Sequence, residues 1–369
     1  MERARFLSLD VFRGMALCLM IVVNTPGAGS EPYPILDHAP WFGFTIADIV
    51  FPSFLFAVGN AMAFGGKTGE SEFWRKTLRR TAIIFGLGVL LHWFPFFRLT
   101  DHGWVYKPFS EVRILGVLER IALCYFIAAI AARYLGVKGL LALSAVLLLG
   151  YWGILLAGAP DTATALSKAG NIGNAIDLAV VGRPHIYRGD EGFEPEGLLG
   201  TLPAAVNVIL GYLAGLYIRR KGATAQTVTR FLAVGAALIL AALLWNTVFP
   251  IGKKLWTSSF VLLTVGIDLV VLAGLMRWID IGKHKFGVRF FEIFGCNAIL
   301  LYCVADWLEM IMSYMRFAGP HGLWNWFGRS VMQALTPGPL GSLFTAILYM
   351  LLCWLVALGL YRRKIFVRI

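Results

Sequence analysis

The sequence predicts an all-α, polytopic membrane protein of about ten transmembrane helices with both termini cytoplasmic. Three observations carry that expectation. Of 369 residues, 58% are hydrophobic and only 15% are charged, whereas an ordinary soluble domain is about 45–50% apolar and about 25% charged. Apolar runs near the roughly 20 residues that cross a bilayer as a helix recur along the whole chain. Lys and Arg are shared unequally among the segments that join those runs. The mean hydropathy of +0.72 excludes a disordered chain, a collagen and a coiled coil. It also excludes a small disulfide scaffold.

The first expected span is Leu9–Val23. It contains Asp10 and Arg13 and lacks a small-residue cleavage site, so it reads as a spanning helix and not as a cleavable signal peptide. Phe44–Phe64, Thr81–Phe97, Ile114–Ala132 and Gly139–Ala157 follow, then Leu198–Ile218, Phe231–Phe249, Ser258–Met276, Phe291–Ile311 and Gly341–Leu360. Met332–Leu340 holds two prolines and reads as a re-entrant or interfacial piece. No internal repeat is visible, which gives an inverted-repeat transporter no support. With the N-terminus inside, 21 Lys and Arg fall on inner segments and 10 on outer ones. That asymmetry fits an even number of crossings. It puts Asn24–Gly43 and the long loop Gly158–Gly197 outside, in a single transmembrane domain over residues 1–369.

The net charge of +12 includes no basic run long enough for a nucleic-acid arm, so no nucleic-acid partner is expected; membrane lipid is. Twelve Trp and 14% aromatic residues suit interfacial belts. The five cysteines, Cys18, Cys124, Cys296, Cys303 and Cys353, all lie in apolar runs without a CxxC and read as small core hydrophobes. None of the six histidines forms HExxH or HxxxH, so no metal is expected. There is no GxxxxGK[ST] loop and no GxGxxG after a strand. The glycines of the Gly86–Gly88 stretch read as close helix packing.

Ionisable residues inside lipid are costly and tend to face an interior or a wet cavity. Asp10 and Arg13 are three apart, share a helix face and can pair. Thr45 and Asp48 have the spacing of a capping box, with Asp in the place of Glu. Asp48 can equally orient a nearby catalytic group. Glu119 and Arg120 point about 100° apart on a helix and each needs its own partner. Asp268, Asp306 and Glu309 add buried acid, as a proton site, a cation site or a partner for Arg120. His38, in the outer loop just before a helix rich in Gly, Phe and Pro, is either an ordinary loop histidine or a general base.

Several blocks together resemble the heparan-α-glucosaminide N-acetyltransferase family. They are residues 8–16 (SLDVFRGMA), 20–27 (MIVVNTPG) and 38–59 (HAPWFGFTIADIVFPSFLFAVG), supported by 117–121 (VLERI), 194–202 (EPEGLLGTL), 252–261 (GKKLWTSSFV) and 296–302 (CNAILLY). The resemblance covers nearly the whole chain. It implies a bacterial inner-membrane enzyme that moves acetyl from cytoplasmic acetyl-CoA to a glucosamine-type amine on the far side. His38 then matches the active-site histidine, Asn24 the asparagine closing the first span, and Asp48 the acid of the AlaAspxValPhePro motif. Arg13, Arg79, Arg80 and Arg120, with the Arg219–Arg220 pair, become candidates for the CoA phosphates. Trp41, Glu196 and Lys254 become candidates for the sugar. Phe42 stands where the lysosomal enzyme has Asn, which leaves the exact acceptor open. The resemblance is to the membrane core, without the large extracytoplasmic domain, and it implies a homodimer. An amino-sugar transporter and an O-acetyltransferase of envelope glycan are the alternatives; the Asn24–His38–Asp48 set, which a carrier does not need, separates the first of these.

Overall fold

The computed structural model describes residues 6–66, 68–100, 103–315 and 322–367. Arg3, Arg5, Lys67, His102, Arg316, His321 and Arg368, which the sequence reading counts among the basic residues or the histidines, lie outside the described residues. The chain is mainly helical. Its helices are α1 (Leu7–Asn24), α2 (Ile46–Ala63), α3 (Glu70–Trp93), α4 (Val117–Tyr134), α5 (Val137–Ala157), α6 (Thr162–Ala165), α7 (Ile172–Val180), α8 (Thr201–Lys221), α9 (Ala225–Trp245) and α10 (Ser258–Leu275). There follow α11 (Val288–Cys296), α12 (Ala298–Tyr314), α13 (Leu323–Trp326), α14 (Gln333–Leu335) and α15 (Pro339–Arg362). One element falls outside the all-α expectation. Strands β1 (Phe97–Thr100) and β2 (Gly103–Tyr106) form an antiparallel hairpin with Phe97 opposite Tyr106.

Among the described residues seven helices are long and apolar enough to cross a bilayer: α1, α2, α5, α8, α9, α10 with the π-turn that extends it to Ile281, and α15. The pair α11–α12 meets the same measure but bends by 84° at its break, so it is a broken span or a re-entrant element. The third and fourth expected spans fall on α3 and α4. These are 24 and 18 residues long, but they carry six and three charged residues respectively. Against the expected ten or so, the described residues hold seven helices of that length and apolarity, or eight with the bent pair.

Local chemistry explains where the helices begin. Thr224 and Thr257 cap α9 and α10 by accepting from the N–H groups of Thr227 and Phe260, and Asn171 caps α7 from Asn174. Each supplies an acceptor for a helix-start donor that has no partner within the helix. Pro339 opens α15, where its missing N–H is harmless. Asn297 sits at the α11–α12 break. Its amide donates to Ile365 O at 2.9 Å and accepts from Val367 N at 2.8 Å, so it clasps the segment that follows α15.

The packing divides into two compact units. One holds α1, the opening turns of α2 and α11–α15. In it α1 lies backbone to backbone on α11: a Cβ at Gly14 would stand 1.8 Å from Phe291 O, and one at Gly295 would stand 2.2 Å from Asp10 O. The other unit holds the remainder of α2 and α3–α10. There Gly59 and Gly211 let α2 and α8 touch, with notional Cβ distances of 2.0 Å to Val208 O and 2.2 Å to Phe56 O. Small residues at helix contacts are the usual device in membranes, where lipid tails are as apolar as Leu and backbone approach supplies the packing.

Gly14→Ala puts a methyl into the Phe291 carbonyl, whereas a Cβ at Gly86 meets nothing within 4 Å. In detergent, Gly14→Ala is expected to lower the thermal midpoint by about 3 °C or more. Gly86→Ala is expected to hold or raise it, because Ala is the better helix former. Equal midpoints for the two variants would contradict this account of the α1–α11 contact.

Candidate active site

The loop after α1 returns to the start of α2, and there the chain builds a fixed imidazole. Asp48, the third residue of α2, is fully buried (0% exposed). Its Oδ2 accepts from the backbone N–H of Thr45 at 3.0 Å and of Ala39 at 3.3 Å, and lies 3.1 Å from Thr45 Oγ1. The contact with Thr45 N is the side-chain half of a capping box. Its Oδ1 lies 2.9 Å from His38 Nδ1. One oxygen of this carboxylate thus serves the start of α2 and the other lies against the His38 ring. A carboxylate oxygen accepts, so Nδ1 carries the proton, and in the neutral ring the lone pair is then on Nε2. Asp37, adjacent in sequence, turns its carboxylate to the backbone N–H of His38 at 2.8 Å and leaves the ring to Asp48.

Asn24 is the last residue of α1 and is exposed. It makes no hydrogen bond to His38 or Asp48 among the described residues. Val22, Val23, Tyr33, Leu36 and Ser342 line a small cleft beside it. Arg13 pairs with Asp10 at 2.6 Å, as the spacing predicts. Arg79 is exposed, and Arg80 lies over the Tyr125 ring at 4.5 Å. Arg219 donates to Ala63 O at 2.8 Å and so caps the end of α2.

The other expected site residues gather around the loop between α5 and α8. Trp41 donates to Leu166 O at 2.8 Å and packs edge-on against Phe193. Lys168 stands over its ring at 5.9 Å. Asp190 takes both Lys168 at 2.8 Å and Lys254 at 2.9 Å, so Trp41 and Lys254 belong to one cluster. Glu196 shares the guanidinium of Arg113 with Glu194: Arg113 Nη2 reaches Glu196 Oε2 at 2.6 Å and also Glu194 Oε1, while Nε donates to Glu194 Oε2 at 3.1 Å. Arg120, only 1% exposed, donates to Gly197 O at 3.0 Å and lies over the Trp256 ring at 4.9 Å. The structure thus places it with the Glu196 segment; Arg80 contacts Tyr125, five residues further along α4. Its neighbour Glu119 lies 3.5 Å from His92 Nδ1, which also contacts Gly88 O at 3.0 Å, and neither oxygen of this buried carboxyl has a hydrogen-bond partner among the described residues. Asp268 accepts from Ser53 at 2.5 Å. Among the described residues no group of three His, Cys, Asp or Glu is arranged to hold a metal.

Burial and charge pull the loop acids apart. Burial pushes the Glu194 carboxyl up, against the Arg113 charge. Burial acts the same way on Glu196, but the charges of Arg113, Arg120 and Lys253 outweigh it and hold that carboxyl below the usual range. Burial pushes Asp177 up to about 6 against the Leu198 N–H and the Arg120 charge. Asp177 Oδ1 accepts from Leu198 N at 2.8 Å and closes the turn before α8.

Arg113, Glu194, Lys168 and Asp190 were not anticipated. Glu194 was visible in the EPEG run beside Glu196. Lys168 and Asp190 meet Lys254 across long chain separations, and no spacing announces that.

The apolar spanning helices, with charged residues buried among them, define a multi-pass helical membrane protein. The profile of the heparan-alpha-glucosaminide N-acetyltransferase catalytic family matches residues 5–231, more than half of the chain, and the chain belongs to that family. It is 28% identical over 355 residues to the Homo sapiens heparan-alpha-glucosaminide N-acetyltransferase, covering 81% of this chain and 52% of that protein. It is 26% identical over 362 residues to the Mus musculus protein of the same name, covering 83% and 54%. The chain spans about half the length of these curated relatives.

Asp177 gives a pH prediction. Its native carboxyl holds a proton more tightly than the unfolded chain, whose ordinary value is 3.8. Its stabilising contribution is therefore complete below about pH 4 and is lost as pH rises through about 6. Asp177→Asn should remove that part of the fall in thermal midpoint between pH 4 and 6. An unchanged slope would contradict the burial assigned to Asp177.

Proposed function

We propose that the chain transfers acetyl from acetyl-CoA to the amine of an amino sugar, with His38 as the reacting imidazole. The observation that carries the reading is the 2.9 Å contact between His38 Nδ1 and the buried Asp48 carboxylate. It fixes one tautomer and presents Nε2 as the basic nitrogen, the orienting logic of an acid–imidazole pair. Family membership supplies the reaction class. The amine nitrogen attacks the acetyl carbonyl and a C–N bond forms. The amine proton passes to His38 Nε2, the C–S bond breaks, and the proton leaves with the CoA thiolate. In the carrier variant, Nε2 attacks the acetyl carbonyl, the C–S bond breaks and CoA thiolate leaves; the amine then attacks the acetyl carbon, the bond to Nε2 breaks, and the amine proton passes through Nε2 to the thiolate.

Asn24 is proposed to meet the tetrahedral oxyanion with its amide N–H, a role in which one donor is worth about 10²–10³ in kcat. The indole of Trp41 and the charges of Glu196 and Lys254 are proposed to receive the sugar, Glu196 as an ionised acceptor for its hydroxyl groups. Arg79 and Arg80 are proposed to meet the CoA phosphates, since Arg binds phosphate bidentately. Arg13 and Arg120 are proposed to contribute charge from beside Asp10 and Gly197, where they are already held. The donor is proposed to come from the cytoplasm and the acceptor from the periplasmic side of a bacterial inner membrane.

The test is thiol release from acetyl-CoA with glucosamine, using protein purified in detergent. Release that requires the sugar is expected, and His38→Ala should lower it by about 10²-fold or more, the scale of a lost general base. Full activity in His38→Ala would remove His38 from the chemistry. Unchanged labelled sugar crossing vesicles without thiol release would support transport in place of transfer. Donor-dependent acetyl on His38 that glucosamine removes selects the carrier variant.

A further inference from the structure

We propose that the exposed turn joining α10 to α11 is a binding site for the headgroups of anionic phospholipid. The segment Lys283-His284-Lys285-Phe286 projects from the protein, followed by Arg289 in the first turn of α11, and all five are exposed. Phe286 is 92% exposed and Trp278, just upstream, 48%. Lys283, Lys285 and Arg289 have no ion-pair partner among the described residues. Asp280 and Glu292, the acids on either side in sequence, are half-buried.

The turn is tightly held. Lys283 and Gly287 both adopt left-handed backbone, with φ of 57° and 72°. Lys283 N–H donates to Ile279 O at 3.2 Å and His284 N–H to Trp278 O at 3.2 Å. The His284 ring stacks on the Trp278 indole with centroids 3.9 Å apart. The cations are thereby presented around a protruding aromatic on a preformed frame, with little ordering left to be lost on binding.

The charge calls for anions, and the aromatics decide which kind. A Phe almost wholly in water between cations is unfavourable. At a bilayer surface the same ring enters the acyl boundary while its flanking cations meet phosphate, the arrangement of interfacial basic–aromatic segments. The candidate span built on α10 runs to Ile281, two residues before Lys283, so a bilayer that takes up α10 has its surface beside this turn. A soluble phosphate would satisfy the cations and leave Phe286 and Trp278 uncovered.

The test titrates phosphatidylglycerol or phosphatidylcholine into detergent-purified protein and follows the thermal midpoint. A lipid that binds only the folded state raises that midpoint by mass action. Phosphatidylglycerol is expected to raise the wild-type midpoint and phosphatidylcholine to leave it. Each cation near an anionic surface contributes about a fivefold gain in binding. The triple variant K283A/K285A/R289A should therefore need at least about tenfold more phosphatidylglycerol for half its effect. Phe286→Ser should shift the titration the same way with the lipid-free midpoint unchanged. Should the triple variant fail to fold, Lys285→Gln alone should shift half-saturation about fivefold. A triple variant that responds like wild type overturns the proposal. So does an equal response to phosphatidylcholine, and glycerol 3-phosphate reproducing the shift would mean a soluble-anion site.

Discussion

A carboxylate taken wholly out of water has to be answered by donors, and Asp48 is answered by several at once. Backbone N–H groups of Ala39 and Thr45, the Thr45 hydroxyl and the His38 ring all converge on it. Hydrogen bonds to a charged acceptor contribute about 1.5–3 kcal/mol each, and losing one donor leaves part of a buried charge unanswered. The capped start of α2, the return of the loop after α1 and the orientation of His38 are consequently one arrangement. A negative group in the first turn of a helix is favoured by the exposed N–H groups there. The helix start would call for such a group even if no chemistry were performed, and a histidine within reach of its second oxygen is then held in one tautomer.

The same rule organises the loop between α5 and α8. Arg113 serves two glutamates with one guanidinium and stacks on Tyr187 at 4.6 Å, the planar multi-donor role that Lys cannot fill. Trp256, fully buried with a left-handed backbone (φ 52°), offers its ring face to Arg120 and donates its indole N–H to Asn207 Oδ1 at 3.2 Å. Around it Thr257, Ser258 and Ser259 direct their hydroxyls to neighbouring polar groups: Thr257 Oγ1 accepts from Gly252 N, Ser258 donates to Leu148 O and Ser259 to Phe249 O. The GKKLWTSSFV run is therefore chiefly a polar turn sealed inside an apolar unit. Its Lys254 joins the Trp41–Asp190 cluster.

Much of the fold was legible because its signals are local. Apolar runs place α1, α2, α5, α8, α9, α10 and α15 within a few residues, and the i,i+3 rule gives the Asp10–Arg13 pair. The spacing of Thr45 and Asp48 gives the cap. The signal is weaker where charge and hydropathy conflict: α3 and α4 are full-length helices whose charged residues blur their ends. The 84° break at Asn297 was hidden because a polar residue inside an apolar run reads as tolerated until its carbonyl and N–H partners at Ile365 and Val367 are known. The hairpin of β1 and β2 is too short to stand out against the end of α3. In the candidate site, His38 and Asp48 were found together because they are ten residues apart on one returning loop. Lys168, Asp190 and Lys254 meet only through tertiary folding, and Asn24, which the family motif groups with His38, is placed at an exposed helix end.

The central claim is that Asp48 holds His38 as the Nδ1–H tautomer with Nε2 basic. It is tested most directly by the side-chain nitrogen shifts of His38 in protein labelled with nitrogen-15 at histidine, assigned by their loss in His38→Ala. The account predicts a pyrrole-type Nδ1 and a pyridine-type Nε2 above the pH at which the ring deprotonates, with the preference lost in Asp48→Asn. A pyrrole-type Nε2 in the wild type, or a preference unchanged in Asp48→Asn, would contradict it.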